Sequence, residues 1–221
     1  MDEIRGPERQ GIASSKFVSL ALLPAVIVPT LLVLSKESIW PAILAYHALC
    51  VVAPLTFRCS LKEAGLGRSQ MRRWLPLTMM LSVFLLGTGV VGSQVFLAKT
   101  LLPEGWKQVL GRIRPWWAFV AYSVLVNALC EECFWRGFLL PKTGIVGGAA
   151  FFWLMHAAAA SVFLDLLAAV WFTLPALVAG LMWGWMRRRF ETLWPSLITH
   201  LATDMAILWV GSGLLQLSTS R

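Results

Sequence analysis

Seven long, mostly apolar stretches determine what this chain can fold into. Each is 19 to 25 residues long, and a helix needs about 20 apolar residues to cross the ~30 Å hydrocarbon core of a bilayer. Hydrophobic residues make up 58% of the chain and charged residues 14%, whereas soluble domains have about 45–50% and ~25%. The sequence therefore predicts an all-α, polytopic transmembrane helix bundle of about seven spans. The stretches are residues 17–35, 39–57, 75–98, 116–140, 143–164, 166–186 and 193–217.

The order of these stretches predicts one integrated bundle with two parts. Residues 1–115 contain three predicted membrane helices and their loops, and residues 116–217 contain about four. No internal repeat divides the chain further. The first stretch is followed by no small-residue cleavage site, so we expect a retained helix and not a signal peptide. Twelve tryptophans against two tyrosines indicate contact with the lipid headgroup region, where indole rings concentrate.

The formal charge of +8 comes from basic residues in the short segments between spans, and it predicts contact with lipid headgroups, with no nucleic-acid partner. With the N-terminus inside, twelve Lys and Arg residues fall in inner segments and six in outer ones, while Arg136 lies within a span. This excess predicts a cytoplasmic N-terminus. An odd number of spans then places the C-terminus outside. We expect a multi-pass integral membrane protein, in the cell (inner) membrane if the source is bacterial.

The segment "EECFWR" places three charged side chains inside the fourth predicted span. Glu131, Glu132 and Arg136 would each cost roughly 2.5–3.5 kcal/mol at the centre of a membrane helix. Glu132 precedes Arg136 by four residues, the favourable order for an ion pair along a helix. On an α-helix Glu131 is rotated by ~100° from Glu132, so one carboxylate can be held by the arginine while the other faces a reactant. Such residues are candidates for a functional site.

Two further polar pairs interrupt later spans. Phe152 and His156 in "FFWLMH", and His200 and Asp204 in "THLATD", are each four residues apart and therefore share a helix face. At 1.5 Å per residue, Glu131, His156 and His200 all lie roughly 10–20 Å from the predicted cytoplasmic boundary. Three different spans can thus contribute to one buried site.

These segments resemble the CPBP family, the CAAX-protease and bacteriocin-processing intramembrane proteases of the type II CAAX endopeptidase kind. "EECFWR" is similar to the family pattern E-E-x-x-x-R, "FWLMH" to F-x-x-x-H, and "HLATD" to H-x-x-x-[N/D]. "AGLMWGWMRRRFETLWPSLITH" resembles the segment that links the family's second and third motifs, and "LKEAGLGRSQ" more weakly resembles an upstream loop. The resemblance implies that residues 116–217 are a catalytic core. It also implies an intramembrane endopeptidase.

Carried over by position, the resemblance implies a role for each motif residue. Glu131 and His156 would activate a water, Glu132 and Arg136 would orient that carboxylate, and His200 and Asp204 would stabilise the tetrahedral oxyanion. An ionised Asp204, where the family often has Asn, would repel an oxyanion, so it would have to be protonated or to orient His200.

Two other residues are expected to support the site. Phe152 packs near it, and Asn127, one turn before Glu131, supports that glutamate. His47 in the second stretch is expected to be a hydrogen-bonded helix contact. The substrate would be a peptide or protein, lipidated or membrane-anchored, of the CAAX-like, leader-peptide or sorting-signal type.

Three alternatives remain open at this point. Zinc held by Glu131, His156 and His200 is a cofactor alternative, although no H-E-x-x-H is present and Arg136 competes for a carboxylate; no cofactor is favoured. An inactive immunity or binding protein on the same scaffold is a second alternative. A transporter or proton relay is the third, because buried Glu and His chains also move ions.

Overall fold

A computed structural model describes residues 15–67, 71–99 and 104–219, which are helices and short connections with no strand among them. The predicted all-α class is confirmed. The α-helices within these residues are α1 Ser15–Leu34, α2 Trp40–Thr56, α3 Leu61–Ala64, α4 Met71–Lys99, α5 Glu104–Arg112, α6 Trp116–Tyr122, α7 Ala128–Glu131, α8 Leu140–Ala160, α9 Leu166–Phe190 and α10 Trp194–Thr219. Two π-helical segments, Ser123–Asn127 and Glu132–Leu139, lie on either side of α7.

The helices pack side by side. α8 lies against both α1 and α9, α1 also contacts α2, and α4 lies along α10. Outward faces carry large apolar side chains, among them Val83 on α4 and Leu166 on α9, as expected of helices that face lipid tails. Large apolar side chains therefore cover much of the outer surface of these helices.

Three helical runs are long and apolar enough to cross a membrane: Ser15–Leu34, Trp116–Ala160 and Leu166–Phe190, with Trp40–Thr56 as a shorter apolar helix. The run Trp116–Ala160 is 45 residues long, about twice what one span needs. These helices support an integral membrane protein. The total of seven spans and the orientation stay predictions, and Arg5, Arg9, Arg68 and Arg221, which enter the charge count, lie outside the described residues.

The long run is interrupted at Gly144. Its φ of 74° and ψ of 174° are non-helical, in a region of backbone space that is almost restricted to glycine. A Cβ at this position would meet no atom within 4 Å, so backbone conformation alone accounts for the glycine. The break lies just inside the fifth predicted stretch, 143–164, next to the boundary predicted between residues 140 and 143. Further along, Asp165 caps α9 by accepting a hydrogen bond from the Ala168 amide at 2.9 Å, which closes the short predicted turn.

The helix that carries "EECFWR" differs from the α-helix assumed for its rotation angles. The amide of Leu140 donates to the carbonyl of Trp135, five residues earlier, the bond pattern of a π-helix. Such segments are rare and often occur at functional sites. Glu131 ends α7 and Glu132 begins the π segment, so the predicted rotation of ~100° spans a change of helix type.

The segment "LKEAG" forms α3 and packs under this wide turn. Ser60 and Glu63 form a reciprocal cap at its start, and the hydrogen bonds from the Ser60 amide and hydroxyl hold the pKa of Glu63 below its usual value. A Cβ on Gly137 would lie 3.0 Å from the Ala64 carbonyl oxygen, so only glycine lets the two backbones approach. The Gly65 carbonyl then accepts from the Leu193 amide at 3.0 Å, which ties α3 to the start of α10.

Two connections differ from their predicted form. Residues 99–115 include a helix, α5, where only a connecting segment was expected. Arg187, Arg188 and Arg189 form the last turn of α9 and not a loop, because the helix continues to Glu191, whose left-handed φ of 56° ends it.

Candidate active site

The buried ion pair lies at the start of the second π segment. Arg136 Nη1 is 3.0 Å from Glu132 Oε1, and both side chains are almost fully buried. The Arg136 guanidinium carbon lies 4.3 Å from the centre of the Phe152 ring and 4.8 Å from that of Trp183. Aromatic faces attract cations through the ring quadrupole. Arg136 is therefore held by one carboxylate and two rings.

His200 on α10 joins the two glutamates. Its Nδ1 is 3.0 Å from Glu132 Oε1 and its Nε2 is 3.4 Å from Glu131 Oε2. Nε2 is also 3.6 Å from Asp204 Oδ1. The ring stacks on Trp183, with 4.0 Å between ring centres and 17° between planes. Residues from α7, the second π segment, α9 and α10 thus meet around one imidazole.

His156 on α8 is held by its own helix. Its Nδ1 is 2.9 Å from the carbonyl oxygen of Phe152, and the two rings are 4.5 Å apart at an angle of 62°. A carbonyl oxygen only accepts hydrogen bonds, so Nδ1 carries the hydrogen. In the neutral ring Nε2 is then an acceptor.

A cavity of about 230 Å³ brings the remaining polar groups together. Glu131, His156, Asp204 and Asn127 line it, whereas Glu132, Arg136 and His200 are not among its lining residues. Asn127 and Glu131 therefore share a face, as their spacing predicted. The Asn127 amide, however, donates to Asp204 Oδ2 at 3.0 Å, and so its hydrogen bond goes to α10 and not to Glu131.

Comparison with known proteins finds one family whose model matches. Residues 113–206 match the family described as type II CAAX prenyl endopeptidase Rce1-like. Over these residues the chain is therefore similar to the CPBP, or CAAX protease, family, and the match supports that family. No curated protein and no solved structure gave a significant match to the chain.

The family match supports a membrane protease, and it includes every residue of the three motifs. It leaves out α1 and α2, which nevertheless form part of the cavity wall. Val28 of α1 and Ala42, Ile43, Tyr46 and His47 of α2 line the space next to the CPBP residues. The cavity is therefore built by both parts of the chain.

Sequence reasoning missed several aromatic residues around the CPBP motifs. Trp135 Nε1 donates to the Tyr46 hydroxyl at 2.7 Å, and Trp183 stacks on His200. Both tryptophans are buried, so the expectation of a headgroup location for tryptophan fails for them. The spacing of Gly180 and Trp183 could have indicated the buried position of Trp183. The two residues are three apart in the linker before the last motif, and both are buried on α9.

The donors of the CPBP site do not have the arrangement of a zinc site. Both nitrogens of His200 face carboxylates at hydrogen-bonding or ion-pair distances, and Glu132 is shared with Arg136. Within residues 15–67, 71–99 and 104–219, no group of three or more His, Cys, Asp or Glu side chains is placed to hold a metal ion.

Proposed function

We propose that this chain is an intramembrane endopeptidase that hydrolyses a peptide bond with a water activated by Glu131 and His156. The observation that carries this proposal is that Glu131 and His156 line one cavity. Both residues lie in the segment that matches the type II CAAX prenyl endopeptidase family. The substrate would be a prenylated CAAX-like tail, a leader peptide or a sorting signal, presented from the bilayer near its cytoplasmic side.

A water between the two side chains would be oriented for attack. One of its hydrogens would bond to the Glu131 carboxylate and the other to Nε2 of His156, which is an acceptor because Nδ1 donates to Phe152. A lone pair of the water oxygen then points to the scissile carbonyl carbon. Glu131 takes the proton as the new C–O bond forms, and passes it to the departing amine as the C–N bond breaks. Such proton transfer contributes typically ~10²–10⁴-fold.

Glu132 and Arg136 would keep Glu131 in place without touching substrate. Glu132 Oε1 contacts both Arg136 and His200, and His200 in turn contacts Glu131. Buried charges persist only when they are paired. A protonated His200, which donates from both nitrogens, would balance part of the excess of three carboxylates over one guanidinium.

Asp204 would act by orienting His200. One Asp204 oxygen accepts from Asn127 and the other faces Nε2 of His200, which is the behaviour of an acceptor. Both nitrogens of His200 face carboxylates and the residue does not line the cavity, so its imidazolium would stabilise the developing oxyanion through its charge and not by a direct hydrogen bond.

The test is cleavage of a defined peptide by purified protein in liposomes. A farnesylated CAAX peptide is incubated with wild type, Glu131→Gln and Glu37→Gln. The rate of cleavage is measured by mass spectrometry of the products. We expect wild type and Glu37→Gln, whose side chain is exposed in a turn, to release the C-terminal fragment. Glu131→Gln should be slower by at least ~10²-fold. Equal rates for wild type and Glu131→Gln would refute the mechanism.

A further inference from the structure

His47 on α2 contributes a polar group to the cavity that no motif explains. The residue lies outside the family match, lines the cavity next to Glu131 and His156, and is only 5% exposed. Its Nδ1 is 2.8 Å from the hydroxyl of Tyr122. This hydrogen bond gives Nδ1 a partner and joins α2 to α6.

The other ring nitrogen has nothing to bind. Nε2 of His47 is buried and makes no hydrogen bond with any residue that the structure describes. The Asn127 side chain interacts with the His47 ring, but its amide donates to Asp204 at 3.0 Å, and it forms no hydrogen bond of good geometry with Nε2 of His47. Burying a polar atom without a hydrogen-bond partner costs the free energy of its lost hydration. A ligand that supplies the partner removes this cost.

The chemistry of that ligand follows from the tautomer and the charges nearby. When the Tyr122 hydroxyl donates to Nδ1, the hydrogen of the neutral ring is on Nε2, which then needs an acceptor. Glu131 and Asp204 line the same cavity and would repel a carboxylate. A neutral carbonyl oxygen has the required properties.

We propose that His47 positions the substrate by donating a hydrogen bond from Nε2 to a main-chain carbonyl of the bound peptide. This inference rests on the proposed peptidase function and adds a binding contact from the part of the chain outside the CPBP match. The contact is made in the bound substrate and the transition state alike, so its loss raises KM and leaves kcat nearly unchanged.

Two variants separate substrate binding from the structural contact. The amide of Asn reaches about as far as Nδ1 of histidine, and the amide of Gln about as far as Nε2. His47→Asn therefore keeps an acceptor for Tyr122 and removes the outer donor, whereas His47→Gln keeps a donor in the cavity. With the farnesylated CAAX peptide, we expect KM to rise about fivefold to tenfold for His47→Asn, the effect of one lost neutral hydrogen bond. His47→Gln should recover most of the wild-type KM.

Melting temperature and binding complete the test. His47→Asn should melt near wild type, and in a Glu131→Gln background it should weaken binding of the uncleaved peptide, measured by fluorescence anisotropy, by the same factor. Unchanged binding would overturn the role of His47 while leaving the peptidase proposal intact. Equal KM for the Asn and Gln variants, with a lowered melting temperature for both, would also overturn it. Normal cleavage by Glu131→Gln alone would instead refute the peptidase proposal.

Discussion

Glu131 and Glu132 are neighbours in sequence, but their side chains have different surroundings. Glu131 opens into the cavity, while Glu132 is fully buried and pairs with Arg136. Replacing one residue should therefore affect chemistry, and replacing the other should affect folding. The same division separates His156, at the cavity, from Arg136, between carboxylate and rings.

We expect Arg136→Ala to lose stability as well as activity. The substitution leaves Glu132 buried without its cation, and breaking a buried pair in this way costs about 3–5 kcal/mol. Thermal melting of the detergent-solubilised protein should show a clear decrease relative to wild type. Arg188→Ala, at an exposed position of α9, is the matched control and should melt like wild type. A normal melting curve for Arg136→Ala would contradict the structural role of the pair.

We also expect cleavage to be independent of added or removed zinc. The His200 nitrogens already face carboxylates, so a glutamate-activated water needs no metal ligand set. The measurement is peptide cleavage after exhaustive chelation, together with the metal content of the purified protein. Activity that disappears with chelator and returns with zinc would establish the metalloprotease alternative.

At the scale of residues, the sequence identified the charged groups but not all of their partners. Spacing of four placed Glu132 with Arg136, and Phe152 with His156, because these contacts are local. Spacing carries no information on contacts between helices, such as Trp183 against His200 or Tyr122 against His47. Those contacts depend on how α2, α6, α9 and α10 pack.

At the scale of elements, Gly144 is the sharpest local requirement. We expect Gly144→Ala to destabilise the protein by about 1–3 kcal/mol, the cost of forcing a residue with a Cβ into this backbone region. Gly87→Ala is the matched control, since Gly87 is helical and a Cβ there also meets nothing within 4 Å. It should be neutral or stabilising by about 0.5–1 kcal/mol. The measurement is the melting temperature of each variant. Equal melting temperatures would contradict the requirement for glycine at position 144.

The sequence predicted the helices well and their irregularities poorly. Runs of apolar residues place each predicted stretch in helix, since hydropathy reports directly on lipid-facing segments. The π segments Ser123–Asn127 and Glu132–Leu139 carry no comparable signal, because a π-helix and an α-helix use the same residue types. The change of helix type between Glu131 and Glu132 could not be predicted for that reason.

At the scale of the whole molecule, the predicted topology can be tested by labelling. In a variant without its native cysteines, we expect Glu37→Cys to react with an impermeant reagent from outside the cell and Arg188→Cys only from the cytoplasm. Both positions are exposed, and they lie on opposite sides if the N-terminus is inside. Labelling of both from one side would require a different number of spans between them.

The closeness of Glu132 and Arg136 has a consequence for biosynthesis. These residues are four apart, so the pair can form as soon as its own helix leaves the ribosome and enters the translocon. Glu131 has no such local cation; its histidine, His200, follows only in α10, together with Asp204. We therefore expect the nascent protein to carry an uncompensated Glu131 until α10 brings the imidazole of His200. A chain truncated before α10 is therefore expected to lack the assembled cluster of Glu131, Glu132 and His200.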